Sequence, residues 1–162
     1  MFEAIDPILV LIILTLVPAL ELRASIPYGI LATNLSWPLV FLICVATNII
    51  LGPILYFFLE KIILLFTKIS FIKRCYDTYV IKTQYKIKPI VEKYGWLGVA
   101  LFIGVPLPGS GVYSGALAAY LLGLKKRKFF LATVLGVLIA GVIVTIIALS
   151  GASALDFLIK KI

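Results

Sequence analysis

Four long apolar stretches alternate with charged segments along the chain. Two of them, residues 37–59 and 129–150, contain no charged side chain. Each is close to the length of about 20 residues that one helix needs to cross the hydrocarbon core of a bilayer. The pattern therefore predicts two membrane-spanning helices at these positions.

The other two apolar stretches, residues 7–35 and 95–124, are interrupted near their middles by prolines, glycines or charges. Each is too long for one crossing and too short for two, because a helix rises about 1.5 Å per residue. We interpret each as a re-entrant hairpin that enters the membrane and returns to the same side. A single kinked span is the alternative, since Pro and Gly are common in spanning helices. The interrupting residues are Pro18, Glu21, Arg23, Pro27 and Gly29 in the first stretch and residues 106–111 in the second.

The distribution of basic residues favours the hairpins. Basic residues collect on the cytoplasmic side of membrane proteins. If the third stretch is a hairpin, all twelve basic residues between positions 61 and 128 lie on that side. The predicted topology then places both termini outside the cell. The twelve are Lys61, Lys68, Lys73, Arg74, Lys82, Lys86, Lys88, Lys93, Lys125, Lys126, Arg127 and Lys128.

Hairpin and span thus occur twice, and the second copy enters from the opposite side. We predict an all-α integral membrane fold in a single domain, residues 1–162, built from two inverted repeats at about 7–60 and 95–155. Residues 61–94 between them are expected to form an amphipathic helical segment on the cytoplasmic leaflet. Inverted repeats of this kind are typical of secondary transporters.

Composition supports the membrane assignment and argues against several functions. The chain is 63% hydrophobic and 14% charged, whereas soluble domains carry about 25% charged residues. The net charge of +8 is explained by cytoplasmic loops that face anionic lipid, so nucleic-acid binding is not expected. With no histidine and no paired cysteines, neither a metal nor a cofactor is expected. The acidic start, with Glu3 and Asp6, argues against a cleavable signal peptide.

Glu21 and Arg23 are the ionisable residues that this topology places inside the membrane. Such residues are costly there and are usually functional. We hypothesise that Glu21 carries a coupling proton and that Arg23 holds an anionic group. The structural alternative is a buried ion pair that fixes the hairpin. The sequence contains no Ser–His pair, no phosphate-binding loop and no second intramembrane carboxylate, so it offers little support for an enzyme.

The second interruption offers free backbone groups rather than charges. Its prolines and glycines leave N–H and C=O groups unpaired at the ends of two half-helices, where ions or polar headgroups can bind. A tight turn that reverses the hairpin is the simpler interpretation, and both can hold. The candidate site residues at this interruption and around it are Pro106, Pro108, Gly109, Ser110, Gly111, Tyr113 and Ser114, with Ser25, Pro27, Tyr28 and Asn48 from the first half.

Residues 21–30 (ELRASIPYGI) and 106–124 (PLPGSGVYSGALAAYLLGL), followed by KKRKFF, resemble the small multi-drug export protein family. That family looks like a distant branch of the DedA superfamily, whose members share two re-entrant hairpins. Some of those members are proposed to move lipids or lipid carriers in a proton-dependent way, so the resemblance implies transport. The DedA pattern Arg-Phe-x-Pro-x-x-Arg is not matched, because Val105 and Gly111 stand at its arginine positions. Only Arg23, on the other hairpin, could substitute for them.

The sequence therefore predicts a multi-pass protein of the plasma membrane that acts as a proton-coupled secondary transporter of a small amphipathic or anionic molecule. A lipid or lipid-carrier flippase or scramblase is the second hypothesis, and a non-transporting membrane adaptor is the third. The expected partners are membrane lipids and a small-molecule or lipid substrate. A homodimer is expected too, because two spans can hardly enclose a path alone.

Overall fold

The computed structural model describes residues 6–18, 20–66, 93–106 and 109–159, and the regular structure in those residues is helical. Short helices are paired and each pair precedes one long helix, so the order short, short, long occurs twice. In chain order the helices are α1 (Pro7–Leu16), α2 (Glu21–Ala32), α3 (Trp37–Phe66), α4 (Trp96–Gly104), α5 (Val112–Leu121) and α6 (Lys126–Ile159).

The two long helices contain the predicted spans. Within α3 and α6, Trp37–Leu59 and Lys126–Gly151 are long and apolar enough to cross a membrane. Both helices continue beyond the apolar stretches. Hydropathy indicates which residues can face lipid, but it does not show where the backbone hydrogen bonds of the helix end. Large apolar side chains such as Leu42 and Ile147 are more than half exposed, as lipid-facing residues would be.

The first interrupted stretch is divided between α1 and α2, which fold back on each other. The chain leaves α1 at Val17, whose extended backbone suits the position before a proline. A Cβ placed on Gly29 of α2 would lie 2.4 Å from Val40 and 3.0 Å from Leu11 of α1. Residues 18 apart in the chain thus meet at the same point on α3.

The second interrupted stretch is divided between α4 and α5 in the same way. A Cβ on Gly115 of α5 would lie 2.5 Å from Ile103 of α4. Helix α4 lies along α6, where Gly136 allows the Ala100 carbonyl and Ile103 to approach closely. Small residues at such contacts let helix backbones pack tightly in membranes.

The second helix of each hairpin crosses to the other half of the molecule. Helix α2 packs on α6 as well as on α1 and α3, and α5 packs on α3 as well as on α4 and α6. The long helices α3 and α6 also pack on each other. This arrangement brings the described residues of the two interruptions, 17, 18 and 20 in the first and 105, 106 and 109–111 in the second, to the same region of the bundle. The predicted amphipathic segment lies largely outside the described residues, since 67–92 are not among them.

Candidate functional site

The carboxylate of Glu21 lies against the N-terminus of α5. Glu21 is the first residue of α2 and is only 5% exposed. The Val112 N–H donates to Glu21 Oε2 at 3.1 Å, and the Tyr113 N–H donates to Oε1 at 3.4 Å. The first N–H groups of a helix have no partner within the helix, and the helix dipole favours an anion there. The two interruptions are therefore joined by one charged side chain.

The backbone of Glu21 is held in an unfavourable conformation. Its φ of 45° is the only positive value for a non-glycine residue in the part of the chain that the structure describes. A left-handed conformation costs a residue with a Cβ about 1–2 kcal/mol. Strain of this kind is concentrated at functional sites, where the surroundings hold it in place. The conformation of Glu21 at the start of α2 is thus one that the surrounding contacts must hold, because local preference does not favour it.

Gly111 makes the approach of Glu21 possible. A Cβ at this position would lie 2.6 and 2.7 Å from the two carboxylate oxygens of Glu21. Its φ of 122° is also one that only glycine adopts readily. Both conditions exclude a larger residue at the start of α5.

Arg23 connects the first hairpin to the tip of the second. Arg23 Nη2 donates to Ser110 Oγ at 2.7 Å, and Ser110 Oγ donates to the Val105 carbonyl at 2.5 Å. Arg23 also interacts electrostatically with Glu21. A guanidinium and a helix N-terminus, both of which attract anions, therefore both interact with the Glu21 carboxylate.

Asn48 approaches the carboxylate from α3. Its Nδ2 donates to Glu21 Oε2 over 3.5 Å, which is a long and weak hydrogen bond. Asn48 is 1% exposed, and no group in the described part of the chain bonds to its Oδ1. It lies at the midpoint of the apolar part of α3, Trp37–Leu59. The site is thus at the middle of the long helices.

A cluster of hydroxyl groups supports the backbone of Glu21. Ser25 Oγ donates to the Glu21 carbonyl at 3.1 Å. Thr15 Oγ1 lies 2.7 Å from Ser25 Oγ and 2.7 Å from the Leu11 carbonyl. Thr15 and Ser25 are fully buried and connect the two arms of the first hairpin. Thr15 was not among the predicted site residues, although a single hydroxyl in the apolar sequence of α1 was a usable signal.

Tyr113 makes two of the contacts between the hairpins. Besides its N–H bond to Glu21, its hydroxyl donates to the carbonyl of Leu16 at the end of α1. That carbonyl is one of the groups that a helix end leaves unpaired. Backbone groups at both interruptions are thereby satisfied by the opposite hairpin.

The structure brings most of the predicted site residues together, but not all of them. Glu21, Arg23, Ser25, Asn48, Ser110, Gly111 and Tyr113 form the cluster. Tyr28 is 38% exposed, Pro27 is half-buried within α2, and Ser114 is buried in α5. Gly109 is exposed with φ 79°, and Pro106 lies next to the tip. Pro108 is outside the described residues. Among those that are described, no group of three or more His, Cys, Asp or Glu side chains could hold a metal.

Comparison with known proteins agrees with the resemblance in the sequence. The family model described as "Putative small multi-drug export protein" matches residues 21–143, which is more than half of the chain. The match begins at Glu21 and includes α2, the apolar part of α3 and the second interruption. No curated protein and no solved structure matches the chain.

Proposed function

Because the chain belongs to the putative small multi-drug export protein family, we propose that it is a secondary transporter of a small anionic or amphipathic molecule, with Glu21 as the proton carrier. The observation that carries the proposal is the position of the Glu21 carboxylate on the α5 N-terminus. The chain is a membrane protein by its family and its two long apolar helices. We place it in the plasma membrane as a multi-pass protein.

In this proposal the two hairpins are re-entrant and enter from opposite faces of the bilayer. The correspondence of packing partners supports an inverted repeat: α1 lies along α3 as α4 lies along α6, and α2 packs on α6 as α5 packs on α3. The cytoplasmic side is assigned from the basic residues that precede α6. Transporters with inverted repeats bind substrate near the membrane midplane at broken helices. Asn48, which bonds to Glu21, is at the midpoint of the apolar part of α3, and this supports a site at that level.

The proposed mechanism is an exchange of anions at the N-terminus of α5. The ionised Glu21 carboxylate occupies the two N–H groups, and Arg23 adds positive charge nearby. Protonation removes the charge of Glu21 and weakens these bonds, because charge-assisted hydrogen bonds are about twice as strong as neutral ones. The N–H groups then become available to a carboxylate or phosphate of the substrate. A proton and an anion are therefore bound together.

The strain at Glu21 favours the exchange. The left-handed backbone of Glu21 is unfavourable by about 1–2 kcal/mol, and release of the carboxylate allows this strain to relax. Ser110 and Arg23 join the same two hairpins, so a change at Glu21 affects the contact between both tips. We propose that the hairpins then move relative to each other and open the site to the opposite side.

Transport in proteoliposomes tests the proposal. Purified protein is reconstituted with a pH-sensitive dye inside the vesicles, and a radiolabelled short-chain alkyl phosphate is added outside. We expect uptake of the phosphate together with acidification of the lumen. Glu21→Gln, which has the same size but cannot ionise, should abolish the acidification. Asp6→Asn is the matched control, because Asp6 is an exposed carboxylate that caps α1 away from the site.

The same preparation separates the other two hypotheses. Exchange of a fluorescent phospholipid between leaflets without a proton gradient would favour a lipid scramblase. Absence of both activities, with a stable co-purifying protein, would favour an adaptor.

Arg23→Gln should reduce alkyl phosphate uptake at least tenfold if the guanidinium attracts the anion. We also propose a homodimer, and cross-linking in the native membrane tests it.

A further inference from the structure

Three buried polar atoms on the long helices have no hydrogen-bond partner in the protein among the residues described. They are Asn48 Oδ1 on α3 and the hydroxyls of Thr133 and Thr145 on α6. An unpaired polar group in an apolar interior costs about 1–3 kcal/mol. Buried polar groups in native proteins are nearly always bonded, either to protein or to ordered water. These atoms therefore indicate where water is held.

Asn48 and Thr133 lie about one helical turn apart along the contact between α3 and α6. A Cβ on Gly52 would lie 2.6 Å from Thr133 Cγ2 and 3.1 Å from its Oγ1. Gly52 is one helical turn from Asn48 on the same face of α3. A second contact, between Gly141 and Val45, fixes the antiparallel register on the other side of Asn48. Asn48 thus lies within the interface, one turn from the Thr133 hydroxyl.

The same face of α3 continues to the end of the bundle at which α6 begins, here called the basic end because residues 125–128 are all Lys or Arg. Tyr56 is one turn beyond Gly52, and its hydroxyl donates to the Leu124 carbonyl at 2.5 Å. Next to it is an open cavity of about 210 Å³. The cavity is lined by Pro53, Tyr56, Phe57, Lys126, Phe129 and Phe130.

Polar groups are therefore spaced about one turn apart from Glu21 to the basic end. Asn48 bonds to the carboxylate, Thr133 follows beside Gly52, and Tyr56, whose hydroxyl bonds to the Leu124 carbonyl, lines the cavity. Neighbouring turns are about 5.4 Å apart, a distance that one water molecule can bridge with two hydrogen bonds. The charged and titratable groups beside Glu21 are Arg23 on its own helix and Tyr113 on α5.

From this arrangement we infer that Asn48 and Thr133 hold a short chain of water molecules through which protons pass between Glu21 and the basic end. The inference rests on the proposed role of Glu21 and names the residues that connect it to one side of the membrane. An incoming proton is transferred along the waters to Glu21 Oε2, and each water gives up one proton as it accepts another. The Asn48 amide can rotate, so that Oδ1 accepts from the protonated carboxyl group. Asn48 and Thr133 are thus positioning residues.

The rate of Glu21 protonation measures this path without any substrate. The intact protein in lipid nanodiscs is subjected to a rapid drop in pH, and the infrared band of the protonated carboxyl group is followed with time. The band is assigned by its loss in Glu21→Gln. We expect Thr133→Val, which has nearly the same shape without the hydroxyl, to slow the appearance of the band at least tenfold. The pH midpoint should change little, because Thr133 does not bond to the carboxylate.

Three further variants make the measurement specific. Thr133→Ser restores the hydroxyl and should recover the wild-type rate. Gly52→Ala, whose methyl group would lie 2.6 Å from Thr133, should close the water site and slow the reaction even if Thr133→Val fails to fold. Thr145→Val is the matched control, because it removes another buried hydroxyl that has no partner among the described residues, three turns further along α6. It should leave the rate unchanged.

The outcomes separate this inference from the proposed function. If the band titrates in the wild type and appears at the wild-type rate in both Thr133→Val and Gly52→Ala, the water path is overturned. Glu21 then remains the proton carrier. Equal slowing by Thr145→Val also overturns it, since the effect would then not depend on position. A Glu21 that shows no titrating band in the wild type overturns the proposed function and this inference together.

Discussion

The two hairpins contribute different kinds of chemical group to one site. The first provides the charges, Glu21 and Arg23, and is held together by hydroxyl groups in its two arms. The second provides backbone N–H groups and is held together by close contact between Gly115 and Ile103. An anion site inside a membrane needs positive potential that does not itself require burial of many charges. A glycine-rich helix start supplies this potential, so the second hairpin needs no ionisable side chain of its own.

Gly111→Ala should have the largest effect on stability, because Gly111 lies at the contact between the two hairpins. Its methyl group would lie 2.6–2.7 Å from the Glu21 oxygens, and its φ is 122°. We expect the free energy of unfolding in mixed micelles to fall by about 3 kcal/mol, from clash and backbone strain together. Gly109→Ala is the control, because Gly109 also has a positive φ but no atom within 4 Å. Its loss should be only about 1 kcal/mol, and equal losses at both glycines would contradict the contact with Glu21.

Gly115→Ala tests the close packing that holds the second hairpin. The added methyl group would lie 2.5 Å from Ile103, and overpacking of this kind costs about 2 kcal/mol. The measurement is again unfolding in mixed micelles, with and without Ile103→Ala, which should remove most of the effect. Gly151→Ala is the matched control in a helix, since nothing lies within 4 Å of Gly151. Similar values for the two substitutions would show that α4 and α5 are not in close contact.

Thr15→Val should have the smallest effect and tests the hydroxyl contact of the first hairpin. The substitution removes the contact to Ser25 and the bond to the Leu11 carbonyl. We therefore expect the free energy of unfolding in mixed micelles to fall by about 1 kcal/mol. A double-mutant cycle with Ser25→Ala should show that the two effects are not additive. Thr47→Val is the control, because the Thr47 hydroxyl bonds to the Ile43 carbonyl of its own helix. Additive effects of Thr15 and Ser25 would contradict the contact between the arms.

The sequence could predict the parts of this site but not their assembly. Charges at Glu21 and Arg23 and the run of Pro and Gly at 106–111 interrupt apolar stretches, and such signals are local. The bond between Glu21 and Val112 joins residues 91 positions apart, and it depends on how the hairpins cross between the long helices. Nothing local indicates which helix end a carboxylate will meet, since any helix N-terminus attracts it.

The same limit applies to conformation and burial. The positive φ of Glu21 is imposed by tertiary contacts, because glutamate does not favour it. The unpaired oxygen of Asn48 depends on the register between α3 and α6, which small residues permit but do not specify. The ends of the helices were also not predictable from hydropathy. The apolar stretch is residues 129–150, whereas α6 begins at Lys126 and ends at Ile159. The sequence did predict the all-helical fold and the order of broken and continuous segments.

The most direct test of the central claim is the number of protons bound with each anion. Purified protein in weakly buffered detergent solution with an indicator dye is titrated with the short-chain alkyl phosphate at several pH values. If Glu21 must be protonated before an anion replaces it, up to about one proton is taken up per phosphate bound where the site starts ionised. Glu21→Gln should still bind the phosphate but take up none through this residue. Phosphate binding by the wild type with the same proton uptake as Glu21→Gln at every pH would contradict the exchange at the α5 N-terminus.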